Sequence, residues 1–536
     1  MVSGPAPGAA PLAAAATAAA AAGAALPRRL ALRSVQDLPG ALADVHGAGR
    51  DGAAFRRVYR VTDGPALALA SPALAQKYAI PEESSQRVIS ITNRRARARL
   101  LFVISYAHSV TLDQAWWNPT RGNKPQTFKA APPAGGLDTT GGGASCDFCA
   151  YREMTARDDG FGRVELRHAV TGSNLFKFAE PAHGVVMFRH HDPLSFDAPQ
   201  LADLLDASWL WFRGAAAAHA ARAQVSAPAP GDEGAPDAAW PALLWNCLPR
   251  AGASQFHGHA QVALTRVPLP EHEALASAAG RYVAAGGGGG GMGGGGADGS
   301  AASVDTLAGG GGGGGGEVCF YSDLLRAHRA VGLLRQVTVA AAAAAPRGGG
   351  AAASGSGGGA SSSSLSSSDS GEGGAGGAWE GSAWAFPSLA PRKDCEVFVV
   401  GSHLGCAAFQ ALLHAALRTL IDGLGVATFN AAAFNIDLSA PHPHAARLAA
   451  AAAAGAAAAP APPPPLRALP RDQLWVPAAA AGGRPPVVAR IVSRGKLGAP
   501  ASDFGAIEVF CRASIGHTDP FAIAAALDAQ LAALGG

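Results

Sequence analysis

Charge is what this sequence has least of. Lys, Arg, Asp and Glu make up 15% of its 536 residues, the net charge is +3, and no basic stripe or arm gathers them. Nucleic acid needs such a surface to neutralise its phosphates, so it is not expected as a partner. Cysteine is sparse as well: seven in so long a chain do not make a disulfide framework. No apolar run is both long and varied enough to cross a bilayer, because the longest are alanine tracts broken by proline and glycine. A soluble protein with no membrane partner is expected. Acidic residues are missing before Asp37, although Arg28, Arg29 and Arg33 are present. Segment 1–50 therefore reads as a disordered alanine-rich tail on a cytoplasmic protein, with a plastid or mitochondrial transit peptide as the alternative.

Glycine is what fills the space. Its 70 residues cluster at 286–296, 309–316 and within 348–377. Such tracts carry no apolar side chains to offset the entropy of ordering, so 284–316 and 346–378 read as flexible linkers. An alanine/proline insert occupies 446–465 by the same argument. Complex sequence runs over 53–283, a helical island over 317–345, and a second folded block over 379–445 and 466–536. In the first block "AAFRRVYRV", "HGVVMF", "WPALLWNCL" and "QFHGHAQVAL" read as strands, and 198–224 as a helix. In the second, "CEVFVVGSHLG" and "VATFNAAAFNIDL" read as strands, "CAAFQALLHAALRTLIDGLG" as a helix closed by Gly423 and Gly425, "FGAIEVFCRASIG" as strand-like, and the end as a helix from Pro520. The expected class is α+β: two halves, each an antiparallel sheet with a long helix, interrupted by Gly/Ala/Ser-rich inserts.

One stretch stands apart, "WNCLPRAGASQFHGHAQVAL" from Trp245 to Leu264. On a strand His257, His259 and Gln261 share one face, while Phe256, Gly258, Ala260 and Val262 form an apolar opposite face. Three polar side chains in a row are costly to bury without partners, so they meet water, a ligand or a metal. The small-residue run "AGAS" before them lets backbone N–H groups and the Ser254 hydroxyl approach phosphate oxygens closely. Neutral imidazole is a competent nucleophile toward phosphorus near neutral pH. The bland alternative is a strand with two satisfied histidines, which a bare His-x-His would favour. Upstream, Cys146 and Cys149 form a CxxC, a spacing that lets two thiolates share one metal ion.

With Asn246, the Gly/Ala/Ser turn and His-x-His-x-Gln at this spacing, the segment resembles the histidine triad superfamily. The branch is that of galactose-1-phosphate uridylyltransferase and the nucleotide-sugar and dinucleoside-polyphosphate phosphorylases. The resemblance covers about residues 55–265 and thins beyond. It implies two halves of histidine triad type and a nucleotidyltransferase working through a nucleotidyl-histidine. His259 would be the nucleophile, Gln261 would bind the transferred phosphate, and Asn246 and Ser254 would contact ligand or orient His259. A structural Zn²⁺ would be held by Cys146, Cys149, His257 and a histidine of "RHHDPL", His191 in preference to His190, with His183 the weaker choice. Asn174 would contact the nucleotide, Phe176 and Phe178 would wall the base, and Arg121, with Lys124, would reach a phosphate. Arg494 or Lys496 would serve an acceptor phosphate. The implied partners are a nucleotide sugar or dinucleoside polyphosphate and a phosphate-bearing acceptor, and a homodimer is common in the branch. Gly258 stands where the uridylyltransferases carry proline, which leaves hexose 1-phosphate, inorganic phosphate and pyrophosphate open as acceptors. A non-catalytic nucleotide-binding protein is the rival outside the enzymes. His442 and His444, a second His-x-His, read as a decoy in a loop.

Overall fold

A strand with one apolar face must bury that face against another layer, and ten strands of this chain do so together in one sheet packed by helices. A computed structural model describes residues 32–69, 76, 83–93, 136–175, 177, 179, 181–225, 240–265, 268–272, 274–276, 279, 319–339, 379–440, 465–477, 485–497, 504–511 and 513–532. The strands are β1 (Tyr59–Leu69), β2 (Glu83–Asn93), β3 (Ala169–Ser173), β4 (Pro181–Phe188), β5 (Trp240–Cys247), β6 (His259–Thr265), β7 (Arg335–Val339), β8 (Ser382–Pro387), β9 (Val397–Gly401), β10 (Phe429–Phe434), β11 (Leu466–Ala468) and β12 (Val487–Ser493). β1 and β2 form an antiparallel pair of their own. The other ten make one antiparallel sheet in the order β11-β7-β8-β9-β12-β10-β5-β6-β4-β3.

The longer helices are α1 (Gly49–Val58), α2 (Ala198–Val225), α3 (Phe320–Ala330), α4 (Ala407–Arg418) and α5 (Pro520–Ala532). α2 packs on β3, β4 and β6, α4 packs on β7, β8 and β9, and the two helices touch each other. Between helices and sheet lies the main core. Ala260, Val262 and Leu264 of β6, Leu243, Trp245 and Cys247 of β5, and Phe429, Ala431 and Ala433 of β10 all point into it. By the alternation of a pleated strand, His259 and Gln261 of β6, Asn246 of β5 and Asn430 of β10 then stand on the opposite face. That face carries the candidate site.

Strands from either side of residue 300 meet at the middle of this sheet, where β5 pairs with β10 and Asn246 lies directly opposite Asn430. A buried ion triad ties the same regions together: Arg490 of β12 reaches Glu396, just before β9, and Glu271, beyond β6.

Several local expectations give way. The chain is folded from residue 32, well inside the expected 1–50 tail, and Leu38 and Val45 are fully buried. Residues 53–58 are helical rather than extended. In α1, Gly52, Phe55 and Val58 recur at helical spacing and all are buried, so the core favours a helix there. The strand of "QFHGHAQVAL" starts only at His259. The 317–345 island contributes a strand, β7, to the sheet as well as a helix. Residues 506–511 form a helix where a strand-like run was expected. Glu508 accepts a hydrogen bond from the Gly505 amide at 2.9 Å, capping the first turn. Val509 is 51% exposed. The glycine linkers, 446–464 and the His442/His444 pair lie outside the described residues.

Among the described residues no helix is long and apolar enough to cross a membrane.

Candidate active site and metal cluster

The loop leading into β6 carries His257, and a tight turn over 140–150 carries the two cysteines. They converge with His191, which follows β4. Cys149 Sγ lies 3.4 Å from His191 Nδ1 and 3.5 Å from His257 Nδ1. Cys146 Sγ is 3.5 Å from His257 Nδ1, and the two imidazole Nδ1 atoms are 3.4 Å apart. All four ligand atoms lie within 4.8 Å of one another. A tetrahedral zinc ion with typical bond lengths has S···N edges of about 3.6 Å and an N···N edge of about 3.3 Å. The observed spacings fit that polyhedron, so these residues could hold a metal ion of this size and softness.

The second layer fits too. His257 Nε2 donates to the Phe188 carbonyl at 2.7 Å, which leaves Nδ1 as the nitrogen that could coordinate an ion. His191 Nε2 is 3.2 Å from Asp138 Oδ2 and 3.1 Å from Thr140 Oγ1. Burial opposes ionisation of Asp138, but hydrogen bonds from Thr140, Gly142 and His191 outweigh it and bring its pKa to about 2. Asp138 is thus a fixed anion behind His191. Burial also lowers the pKa of His257 to about 4, so it is neutral, as a ligand must be. Burial and the neighbouring Cys146 push the Cys149 thiol up to about 11. Two thiols this close ionise together only beside a cation.

Gly143 has φ +98°, and a Cβ there would come within 3.0 Å of Cys149 Sγ, so glycine is what lets the turn close around the cluster. His190 takes no part. It stacks on Phe188 at 4.8 Å instead.

His259 is 7% exposed. Its Nδ1 lies 2.8 Å from the His257 carbonyl oxygen, which can only accept, so Nδ1 carries a proton and donates. The Phe148 ring, from within the CxxC, stands edge-on to both His257 and His259 at 5.7 and 5.0 Å. A Cβ on Gly258 would meet the Phe188 ring at 2.9 Å and Pro193 Cα at 3.0 Å, which explains a glycine between the two histidines.

Gln261 and Asn174 come together around His183. This fully buried imidazole has Nε2 3.0 Å from Gln261 Oε1 and 3.2 Å from the Asn174 amide nitrogen. His183 is therefore placed with Gln261, away from the metal cluster. The run before the histidines behaves differently from expectation. Gly252 at φ +92° closes a turn in which the N–H groups of Ala251, Gly252 and Ala253 donate to Leu248 and Pro249 carbonyls. These three amides face the turn itself, which corrects their expected use toward a phosphate. Ser254 is buried just beyond. Asn246 Oδ1 accepts from Asn430, and Arg494 Nη1 donates to Asn430 Oδ1 at 2.7 Å. Arg121, Lys124, Phe176 and Phe178 lie outside the described residues.

Sequence reasoning missed Asp138 and Thr140 behind His191. Their signal was present: an Asp two residues before a Thr and leading into glycines is an Asx-turn pattern, and Asp138 Oδ1 does accept from the Thr140 amide at 2.8 Å. It also missed Phe148 and Asn430, for which no local pattern exists.

No family model matches this sequence, and no curated protein does. Among solved structures it is similar to an ADP-glucose phosphorylase, a galt-like protein and a uridylyltransferase. The phosphorylase, from Arabidopsis thaliana with bound ADP-glucose, is 12% identical, with 76% of this chain and 92% of that one covered and a TM-score of 0.38. A uridylyltransferase-like protein from Arabidopsis thaliana is 13% identical over 72% of this chain and 91% of its own, with a TM-score of 0.36. A uridylyltransferase is 12% identical over 76% and 94%, with a TM-score of 0.36.

Proposed function

We propose that this protein is a nucleotidyltransferase that passes a nucleoside monophosphate through a covalent histidine intermediate. The observation that carries the reading is the His259 ring: its Nδ1 is held by the His257 carbonyl at 2.8 Å, which assigns Nε2 as the nitrogen that attacks phosphorus. His259 Nε2 attacks the α-phosphorus of a nucleotide sugar or dinucleoside polyphosphate. The P–N bond forms as the P–O bond to the leaving phosphate breaks, and that phosphate departs with the electron pair. An oxygen of the acceptor phosphate then attacks the same phosphorus and the P–N bond breaks, which returns neutral His259.

Gln261 serves the transferred phosphate. Its side-chain amide is held 3.0 Å from His183 Nε2, on the strand face that carries His259. Asn246, Ser254 and Asn174 are assigned to ligand contact, and Arg121 to a phosphate. Cys146, Cys149, His191 and His257 would hold Zn²⁺ as a structural ion, which would supply rigidity and no reacting group. The link to the chemistry is His257 itself: its side chain belongs to the cluster, while its carbonyl orients the nucleophile.

The partial reaction tests this. Isotopically labelled glucose 1-phosphate, incubated with UDP-glucose or ADP-glucose and no second acceptor, should enter the nucleotide sugar, because a ping-pong enzyme exchanges its leaving group. Repeating the incubation with inorganic phosphate or pyrophosphate in place of the sugar phosphate identifies the acceptor class. Nucleotide binding without exchange for any of these pairs would refute the transferase reading and leave a binding protein.

A further inference from the structure

Asn246 is anchored by side chains that come from the far end of the chain. Asn430, on β10, has contacts whose polarity admits one assignment. Its Oδ1 is 2.7 Å from Arg494 Nη1, which can only donate, and its Nδ2 is 2.8 Å from the Ala251 carbonyl oxygen, which can only accept. The amide of Asn430 is thereby fixed at both ends. Its Nδ2 must also donate to the third partner, Asn246, at 2.7 Å, and the atom received there is Oδ1. Asn246 has its oxygen bound to Asn430, so the end it offers elsewhere is the donating NH₂. The Ala251 carbonyl belongs to the turn before the two histidines, so one amide holds Asn246 and that turn together.

The anchor is itself built in. Arg494 lies just past β12, and its amide donates to the Thr428 carbonyl at 2.9 Å. Its carbonyl accepts from Arg250 Nε at 2.6 Å. Thr428 Oγ1 donates to the carbonyl of Gly495 at 2.6 Å, and Gly495 has φ +78°.

We infer that Asn430 and Arg494 are positioning residues that set the polarity of Asn246, so that it presents N–H donors rather than an oxygen to an anionic phosphate. This rests on the nucleotidyl-transfer reading of the site. Under it, strands from both sides of residue 300 are needed for one active site, because an anion beside the Asn246 oxygen would be repelled.

Asn430→Asp is the discriminating variant. It is almost isosteric and still accepts from Arg494, but it cannot donate to Asn246 or to Ala251. The exchange rate should fall about 30- to 100-fold, and the same substitution on an Asn246→Ala background should cost little more than Asn246→Ala alone. Equal losses on both backgrounds would mean that Asn430 acts on general structure, and would overturn the inference. Should Asn430→Asp fail to fold, Arg494→Gln makes the same test, with a loss of about tenfold that again vanishes on Asn246→Ala. The side-chain amide resonances of ¹⁵N-asparagine-labelled protein give a readout that needs no activity. If wild type shows no exchange, the functional reading fails on its own. The positioning claim then stands if the Asn246 amide signals move in the Asn430→Asp variant, and falls if they do not.

Discussion

Replacing His259 with glycine is expected to lower nucleotidyl exchange by about 10⁴-fold or more while leaving the fold and the metal cluster in place. The magnitude follows from the role: without the nucleophile there is no covalent intermediate, and only phosphate binding and orientation remain. The fold should survive because Ala260, Val262 and Leu264, not His259, carry the core face of β6. The Cys146, Cys149, His191 and His257 group does not include His259 either. Glycine leaves an imidazole-sized space beside Phe148. Added imidazole should therefore restore part of the activity, by accepting the nucleotidyl group and passing it on. Exchange rates with and without imidazole, alongside a thermal melt of each protein, check this. A variant with activity within tenfold of wild type would remove His259 from the mechanism.

The second large effect concerns the metal. Purified protein should carry about one zinc ion per chain. Cys146→Ser, which removes one corner of the tetrahedron, should abolish tight binding, and Asp138→Ala should weaken it about 10- to 100-fold. A carboxylate behind a ligand histidine is typically worth that much. Asp138 touches no metal ligand atom; its contact is with the far nitrogen of His191, at 3.2 Å. Its effect on affinity thus separates a true coordination site from a chance cluster. Stripping the ion should also slow exchange, since His257 joins the cluster to the carbonyl that orients His259. Elemental analysis and competition with a chelator measure all three proteins. Wild type free of zinc after growth in zinc-replete medium, or Asp138→Ala with unaltered affinity, would contradict the account.

What could be seen in the sequence was whatever local chemistry encodes. The period-2 alternation across 256–262 gave the face on which His259 and Gln261 stand. The spacing of Cys146 and Cys149 pointed to one turn holding both thiols, and His191 falls within reach of it. The residues that escaped are those fixed by register. Asn430 faces Asn246 only because β10 pairs with β5 across 184 positions of chain, and nothing near Asn430 announces that pairing. His183 was visible as a histidine near the site, but its partner depends on how β4 lies against β6. The short helix at 506–511 was misjudged because its β-branched and aromatic residues suit a strand, while the Glu508 cap on the Gly505 amide favours a helical turn. The joining of all ten strands into one sheet was not legible either: "VATFNAAAFNIDL" reads as a strand, but its pairing with β5 is a long-range contact that no local pattern encodes.

The central claim is that His259 becomes covalently nucleotidylated, and intact-protein mass measures that directly. Wild type and His259→Ala are incubated with UDP-glucose, ADP-glucose, GDP-glucose or a diadenosine polyphosphate, then quenched at neutral or alkaline pH because phosphohistidine bonds are acid-labile. The account predicts that wild type gains the mass of one nucleoside monophosphate with at least one donor, that His259→Ala gains none, and that the size of the gain names the base. The same gain in both proteins, or no gain in wild type with a donor that it demonstrably turns over, would contradict it.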